Sequence, residues 1–261
     1  MTSSLQITRE GPVTVVAIDR PERRNAVDPA TATALLEAFG DFDADDAASV
    51  AVLTGTGGTF CAGADLKSVA TGDRHRVAED GHGPMGPTRL ELSKPVIAAV
   101  EGCAVAGGLE LAIWCDLRVA ASGSTFGVFC RRFGVPLVDG GTVRLPRLIG
   151  HGRALDLILT GREVRADEAL AFGLVNRVVP EGTALEYAVG WGRQLAALPQ
   201  RCLRNDRLST VAQWGLSAAD ALVIEARYAL DSLASPDAAS GTARFAAGAG
   251  RSGSTVDPSI G

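Results

Sequence analysis

Two glycine-rich stretches, each placed directly after a predicted buried strand, contain the residues best suited to chemistry. The first is residues 54–68, "TGTGGTFCAGADLKS", and the second is residues 101–116, "EGCAVAGGLELAIWCD". In the first stretch, Gly63 allows a sharp turn, and the small Ala64 leaves its own N–H accessible. In the second, Gly107 begins a predicted helix, whose first N–H groups have no partner within the helix. Two such N–H groups that converge on one carbonyl oxygen form an oxyanion hole.

A carboxylate lies within reach of the same position. Glu110 follows Gly107 by three residues, which is close to one helical turn. Its side chain can therefore enter the space in front of the helix start, where it is a candidate general base. Two alternatives stay open at this point. Glu110 can cap its own helix, and the glycines can serve close packing of the helix on a sheet.

The elements that must position these stretches predict an α/β protein. A hairpin is expected around Gly11, and Asp28 is expected to cap a helix that runs to Phe42. Buried strands are predicted at residues 49–55, 94–102 and 116–122. From about residue 153 the pattern becomes helical, with an extended piece at residues 175–179. The predicted helices there are residues 153–159, 166–172, 183–198, 200–214, 216–233 and 235–247. Residues 68–92, polar and glycine-rich, are predicted to form a mobile surface segment beside the site.

The composition argues against several classes of function. The net charge of −5 disfavours a nucleic-acid partner. No apolar run reaches the roughly 20 residues of a membrane helix, and no signal peptide is recognisable, so we expect no membrane partner and a cytoplasmic protein. The five cysteines are odd in number and include no CxxC pair, which favours free thiols. The three histidines lie apart, so no metal site is expected.

Four segments together resemble the enoyl-CoA hydratase/isomerase (crotonase) superfamily. They are Ile18–Val27 ("IDRPERRNAV"), Phe60–Lys67 ("FCAGADLK"), Lys94–Asp116 and Gly140–Val179, in the family's order and spacing. The resemblance implies a spiral core of ββα repeats with an all-helical C-terminal region. It also implies an acyl-coenzyme A (acyl-CoA) thioester as substrate, no separate cofactor, and assembly into a homotrimer or homohexamer. We accordingly predict a spiral core over residues 1–195 with the acyl-CoA site, and a helical oligomerisation region over residues 196–261.

Family roles are carried over only to matching positions. The resemblance implies that Ala64 and Gly107 supply the two oxyanion N–H groups and that Glu110 is the first of two catalytic glutamates. It implies that residues 64–67 contact the adenine end of coenzyme A and that Arg24 approaches its phosphates. The full set of expected substrate-binding residues is Arg24, Ala62, Ala64, Asp65, Leu66, Lys67, Gly107 and Cys130.

The loop at residues 124–142, "STFGVFCRRFGVPLVDGGT", departs from the hydratase pattern. Cys130 stands where the resemblance places the second glutamate. Asp139 stands three residues before Thr142, as a catalytic aspartate does in dienoyl-CoA isomerases of this superfamily. An ordinary turn residue is the alternative for Asp139. Arg131 and Arg132 can face a substrate carboxylate, or the loop can line an apolar pocket.

The resemblance and these residues favour an enoyl-CoA hydratase in which Glu110 and Asp139 share the proton transfers. The alternatives are an enoyl- or dienoyl-CoA isomerase, an acyl-CoA decarboxylase, and a non-catalytic acyl-CoA-binding homologue.

Overall fold

The computed structural model describes residues 4–250. The strands are β1 (Leu5–Glu10), β2 (Val13–Ile18), β3 (Val50–Gly55), β4 (Val96–Val100), β5 (Cys103–Val105), β6 (Leu117–Ala121), β7 (Thr125–Gly127), β8 (Val164–Arg165) and β9 (Arg177–Val179). The helices are α1 (Pro29–Ala44), α2 (Leu66–Ala70), α3 (Gly107–Trp114), α4 (Gly141–Ile149), α5 (His151–Thr160), α6 (Ala166–Phe172), α7 (Ala184–Ala196), α8 (Gln200–Ala212), α9 (Ala218–Leu233) and α10 (Pro236–Ala246).

The strands form two sheets that the chain visits in turn. A six-stranded sheet has the order β1-β2-β3-β4-β6-β9, and a three-stranded sheet has the order β5-β7-β8. β4 enters the large sheet and β5 the small one, and after α3 the pair β6 and β7 repeats this step. Apart from the β1–β2 hairpin, the large sheet is parallel. The predicted spiral of ββα repeats is therefore the observed architecture.

Local sequence signals explain the first elements. Gly11 has a φ of 68° in the turn between β1 and β2, a backbone conformation that glycine adopts without steric cost. The N–H of Thr31 donates to Asp28 Oδ1 at 2.8 Å, so Asp28 caps α1 as predicted. Helix α1 ends at Ala44, two residues beyond the predicted end.

Several short elements differ from the sequence-based expectation. Strands β5, β7 and β8 and the helix α4 were not predicted, and α5 begins at His151 instead of Arg153. The extended piece at residues 175–179 contains β9, which closes one edge of the large sheet.

Helix α7 covers one face of the large sheet. It contacts β2, β3, β4 and β6, and its Ala188 and Val189 join a core cluster with the valines of those strands. On the other face, α1 and α3 enclose the larger core cluster. Helices α8–α10 bury little of their own surface: the fully buried side chains among them are Asn205 and Ser232. Within residues 4–250, no helix has both the length and the hydropathy needed to cross a membrane.

Candidate active site

One cavity of about 340 Å³ brings most of the predicted site residues together. Its wall is built mainly from apolar side chains and glycine. The polar and charged residues that line it are Arg74, His75, Glu110, Cys130 and Asp139. Of the residues with predicted roles, Ala62, Ala64, Leu66 and Gly107 also line it.

The loops that carry Ala64 and Gly107 touch each other at the cavity. Gly63 has a φ of 99°, and a Cβ added there would lie 3.0 Å from the N atom of Gly107 and 2.9 Å from Ala106 Cβ. Only a residue without a side chain lets the loops approach this closely. The backbone around Gly63 thus holds the two candidate oxyanion donors in neighbouring positions.

The two N–H groups are free to bind an oxygen. The N–H of Asp65 donates to the carbonyl of Val27, and the N–H of Val27 donates to Gly63. Because successive N–H groups of an extended chain point to opposite sides, the N–H of Ala64 points away from Val27. Gly107 is the first residue of α3, and its N–H has no intrahelical partner. No hydrogen bond among residues 4–250 uses either group.

Ala106, which precedes Gly107, carries backbone strain. Its φ is 53° and its ψ is −124°, in a region that residues with a side chain rarely occupy. The conformation is held because the N–H of Ala106 donates to the carbonyl of Gly127 at 2.9 Å. Such strained residues concentrate at functional sites, where the surrounding structure fixes them.

Glu110 is buried at the inner end of the cavity, with 2% of its surface exposed. Its Oε1 accepts hydrogen bonds from the N–H groups of Asp139 and Gly141, each at 2.8 Å. The expectation that its side chain reaches beyond its own helix is therefore met, and the capping alternative is wrong. Burial, and next the negative charge of Asp139, raise the pKa of Glu110 to about 7. A carboxyl group with this pKa can give or take a proton near neutral pH.

Asp139 lines the same cavity and is equally buried. Its Oδ1 accepts from the N–H of Met85 at 2.9 Å and from the hydroxyl of Thr88. Its carboxylate therefore binds a distant segment, while the chain also bends at Asp139 and Gly140, as the turn alternative expected. Burial raises the pKa of Asp139 above its usual range. Two buried carboxyls with raised pKa values in one cavity are typical of an acid–base pair.

Cys130 occupies the wall near Glu110 without replacing an acid. It lies in a 3-10 helix at Phe129–Phe133 and is 7% exposed. Burial, and then the charge of Glu110, raise the pKa of its thiol, which is therefore neutral. The neighbouring arginines point elsewhere: Arg131 donates to the carbonyl of Ile158, and Arg132 to that of Gly161. Neither arginine lines the cavity, so the hypothesis that they face a substrate carboxylate is wrong for this conformation.

The predicted coenzyme A residues form a strip beside the cavity. Asp65 caps α2 by accepting from the N–H groups of Lys67 and Ser68, and it pairs with Arg20 at 3.1 Å. The carboxylate of Asp65 therefore makes structural contacts within the protein. The side chain of Lys67 is exposed. Arg24 is also exposed and lies outside the cavity, but its carbonyl accepts from the N–H of Ala62 at 3.1 Å, which ties it to the strip.

Residues 68–92, which were expected to lie beside the site, supply part of the cavity wall, although sequence reasoning named none of them individually. His75, Val77, Pro84 and Met85 line the cavity, and residues 83–88 are buried, so the surface prediction is wrong for them. A Cβ at Gly83 would lie 2.8 Å from Asp139 Oδ1. The clustered glycines and prolines of this segment were a usable signal, because glycine permits such close approach of the backbone.

The cysteines and the candidate metal ligands can also be placed. All five cysteines are free thiols. Among residues 4–250 there is no cluster of three or more histidine, cysteine or acidic side chains that would hold a metal ion.

The chain is similar to known proteins over nearly its whole length. The family model for enoyl-CoA hydratase/isomerase matches residues 8–247. A carnitinyl-CoA dehydratase from Salmonella arizonae is 41% identical over 197 residues, which is 75% of each chain. A solved structure of enoyl-CoA hydratase from Mycobacterium tuberculosis has a TM-score of 0.88 at 36% identity, covering 94% of this chain and 96% of that one.

A carnitinyl-CoA hydratase from Mycobacterium avium has a TM-score of 0.75 at 32% identity, covering 95% and 97% of the two chains. The family match, the relatives and the shared fold agree with the cavity's two main-chain donors and buried glutamate. The chain therefore belongs to the enoyl-CoA hydratase/isomerase family, with its crotonase fold.

Proposed function

We propose that this protein is an enoyl-CoA hydratase that adds water across the 2,3 double bond of an acyl-CoA thioester. The observation that carries the proposal is the inner end of the cavity. Ala64 and Gly107, whose main-chain N–H groups are unused, line the same cavity as two buried carboxyls with raised pKa values, and this supports the proposal. Hydration needs these components: donors for the thioester oxygen and groups that move protons.

The proposed reaction begins with the thioester oxygen bound by the N–H groups of Ala64 and Gly107. Ionised Glu110 takes a proton from water as the water oxygen forms a bond to C3. The π electrons of the double bond move toward the thioester, and the enolate oxygen gains negative charge that the two N–H groups stabilise. Asp139, in its protonated form, gives a proton to C2. Proton exchange with solvent then restores both carboxyls.

The acyl group that we propose is a 2-enoyl chain without a positive charge. A carnitinyl thioester would bring a quaternary ammonium into the cavity, where the guanidinium of Arg74 lines the wall. Aromatic faces are the usual partners of such cations. One face of Phe129 is already covered by Arg132, at 3.8 Å from the ring centre.

We further propose that coenzyme A binds along the strip formed by Arg24, Ala62 and residues 64–67. Exposed apolar side chains on α9 and α10, such as Leu230 at 67% and Phe245 at 68%, support assembly through the helical region into a homotrimer or homohexamer. The free thiols agree with a reducing, cytoplasmic environment.

The test uses the full-length protein and crotonyl-CoA. Hydration removes the conjugated double bond, so the ultraviolet absorbance of the enoyl thioester falls and mass spectrometry finds a product heavier by one water. Glu110→Gln is expected to abolish the reaction while it leaves the affinity for coenzyme A nearly unchanged. Binding without turnover for several chain lengths would contradict the proposal and favour the acyl-CoA-binding alternative.

Double-bond isomerisation is the second candidate, and the pair of carboxyls supports it. An isomerase removes a proton at one carbon and returns it at another, which two acids in one cavity can share. A 3-enoyl-CoA substrate separates the two activities. An isomerase converts it to the conjugated 2-enoyl thioester, and the absorbance rises instead of falling.

A further inference from the structure

The cavity has a charged outer end as well as a reactive inner end. Glu110 and Asp139 are each 2% exposed, whereas Val77 is 63% and Phe133 is 71% exposed. All four line the same cavity. The exposure of the lining side chains therefore increases from the buried carboxyls at the inner end to a rim that is open to solvent. Arg74 is also exposed, and it lies three residues from Val77 in the same segment, so it belongs to the rim.

The guanidinium of Arg74 has no partner among residues 4–250. Other arginines of this segment are engaged: Arg76 pairs with Asp80, and Arg89 donates to the carbonyl groups of Ala78 and Asp80. The acidic side chains nearest in sequence to Arg74 do not line the cavity. Arg74 thus presents five N–H donors and a permanent positive charge at the rim.

His75 lies next to Arg74 in the same wall. Its Nδ1 lies 2.8 Å from the carbonyl oxygen of Pro84, and its Nε2 lies 3.0 Å from that of Val27.

We infer that the outer end of the cavity recognises an acyl chain that ends in a carboxylate, with Arg74 as its partner. The inference rests on the proposed function for the orientation of the thioester, whose oxygen is held at the inner end. An acyl chain that starts there passes the apolar wall and reaches the rim at its distal end. A guanidinium binds a carboxylate with two parallel hydrogen bonds, which a methyl end cannot form. A quaternary ammonium at the same place is repelled.

The test measures binding, so it does not depend on turnover. Three saturated acyl-CoA thioesters of equal length, ending in methyl, carboxylate or trimethylammonium, are titrated into the full-length protein by calorimetry. We expect the carboxylate-ended ligand to bind more tightly than the methyl-ended one. Arg74→Gln should lower the ratio of these two affinities by about fivefold, the upper range for an exposed ion pair. Arg76→Gln removes a charge from the same segment outside the cavity, and it should leave the ratio unchanged.

Three results would overturn the inference. The first is that the wild-type protein binds the methyl-ended ligand at least as tightly as the carboxylate-ended one. The second is that the affinities for all three ligands fall equally in Arg74→Gln, because Arg74 would then contact the coenzyme A phosphates that the ligands share. The third is that Arg76→Gln changes the ratio of the carboxylate-ended to the methyl-ended affinity as much as Arg74→Gln does. Failure of the proposed function looks different, because the ligands would then bind with the expected ratio while crotonyl-CoA is not hydrated.

Discussion

The inner and outer ends of the cavity are built by different means. At the inner end, main-chain N–H groups hold Glu110, and the close approach of the loops at Gly63 and Gly107 positions the proposed oxyanion donors. At the outer end, exposed side chains such as Arg74 and Phe133 form the wall. The backbone of a fold is hard to change, whereas an exposed side chain is replaced at little cost to stability. The comparison indicates that the inner end sets the reaction and the outer end sets the substrate.

The largest effect is expected for Glu110→Gln. The amide retains an oxygen for the N–H groups of Asp139 and Gly141 but cannot take a proton from water. We expect kcat with crotonyl-CoA to fall by about 10³-fold, within the range for loss of a general base. Steady-state hydration kinetics measure this. A variant as active as the wild type would show that Glu110 is not the base.

The same substitution should stabilise the protein at alkaline pH. The pKa of Glu110 is about 7 in the folded protein against an ordinary value of 4.5. Because the folded state holds this proton more tightly, its stabilising contribution is present below about pH 4.5 and is lost as the pH rises through 7. Above pH 7 the wild type carries a buried charge, and Glu110→Gln should be more stable by about 3 kcal/mol. Urea unfolding at pH 8 and pH 5 should show the difference shrinking at the lower pH.

The activity should depend on the same ionisation of Glu110, but it should require the charged form, whereas stability favours the neutral form. Water activation needs ionised Glu110, so the rise of kcat/KM for hydration with pH should follow a pKa of about 7, and loss of the proton from Asp139 should lower kcat/KM again at higher pH. The range from about pH 5.5 to about pH 8.5 lies on both sides of the raised pKa of Glu110. A value of kcat/KM that stays constant over this range would contradict the role of Glu110 as the base.

Gly63→Ala is expected to come next in size. The added Cβ would clash with Ala106 and with the N atom of Gly107, which displaces the oxyanion donors. Loss of one donor lowers kcat by about 10²- to 10³-fold in comparable sites. Gly58→Ala is the matched control, because Gly58 also has a positive φ but open space around it. Both variants should lose stability from the positive φ, Gly63→Ala more because of its clash, whereas only Gly63→Ala should lower the kcat of the folded protein.

Two substitutions of Asp139 separate its proposed role in proton transfer from its role in holding the cavity wall in place. Asparagine keeps an oxygen for the N–H of Met85 and the hydroxyl of Thr88, so Asp139→Asn should lower kcat by about 10²-fold with little change in KM. Asp139→Ala leaves both donors without a partner at a cost of about 1–3 kcal/mol, and KM should rise as well. If Asp139→Asn keeps the full kcat, Asp139 only holds residues 83–88.

The smallest effect is expected at the rim. Phe133→Ser removes an exposed apolar wall and should raise KM for a long 2-enoyl-CoA by less than about fivefold, since little apolar area is lost. KM for crotonyl-CoA should change even less, because a short chain does not reach the rim. Leu159→Ser is the control, because Leu159 is 69% exposed and lies outside the cavity. Equal effects of both variants would contradict the assigned order of the wall.

The sequence predicted the inner end of the cavity better than the outer end. Ala64, Gly107 and Glu110 are set by local signals: a glycine turn, a helix start and one helical turn of spacing. The binding of Asp139 to Met85 and Thr88 spans more than 50 residues of chain, and no local pattern reports such a contact. Residues 83–88 are buried where they meet Asp139, although the polar, glycine-rich composition of their segment predicted a surface position.

The elements that the sequence missed have a common reason as well. Strand β8 has two residues, and β5 and β7 have three each, which is too short for an alternating pattern. Helix α4 follows Gly140, begins at Gly141 and contains Pro146, and these residues are usual signs of a break. The hairpin and α1 carry strong turn and cap signals, and they were predicted within two residues.

The hydrogen bond from Gly141 to Glu110 has one more consequence. Gly141 is the first residue of α4, so the glutamate that handles the proton also neutralises the positive end of a helix. Whenever that oxygen becomes neutral, its hold on the amides of Asp139 and Gly141 weakens, because charge-assisted bonds are the stronger ones. A change of charge on Glu110 therefore alters a main-chain hydrogen bond of Asp139, the residue that carries the second buried carboxyl.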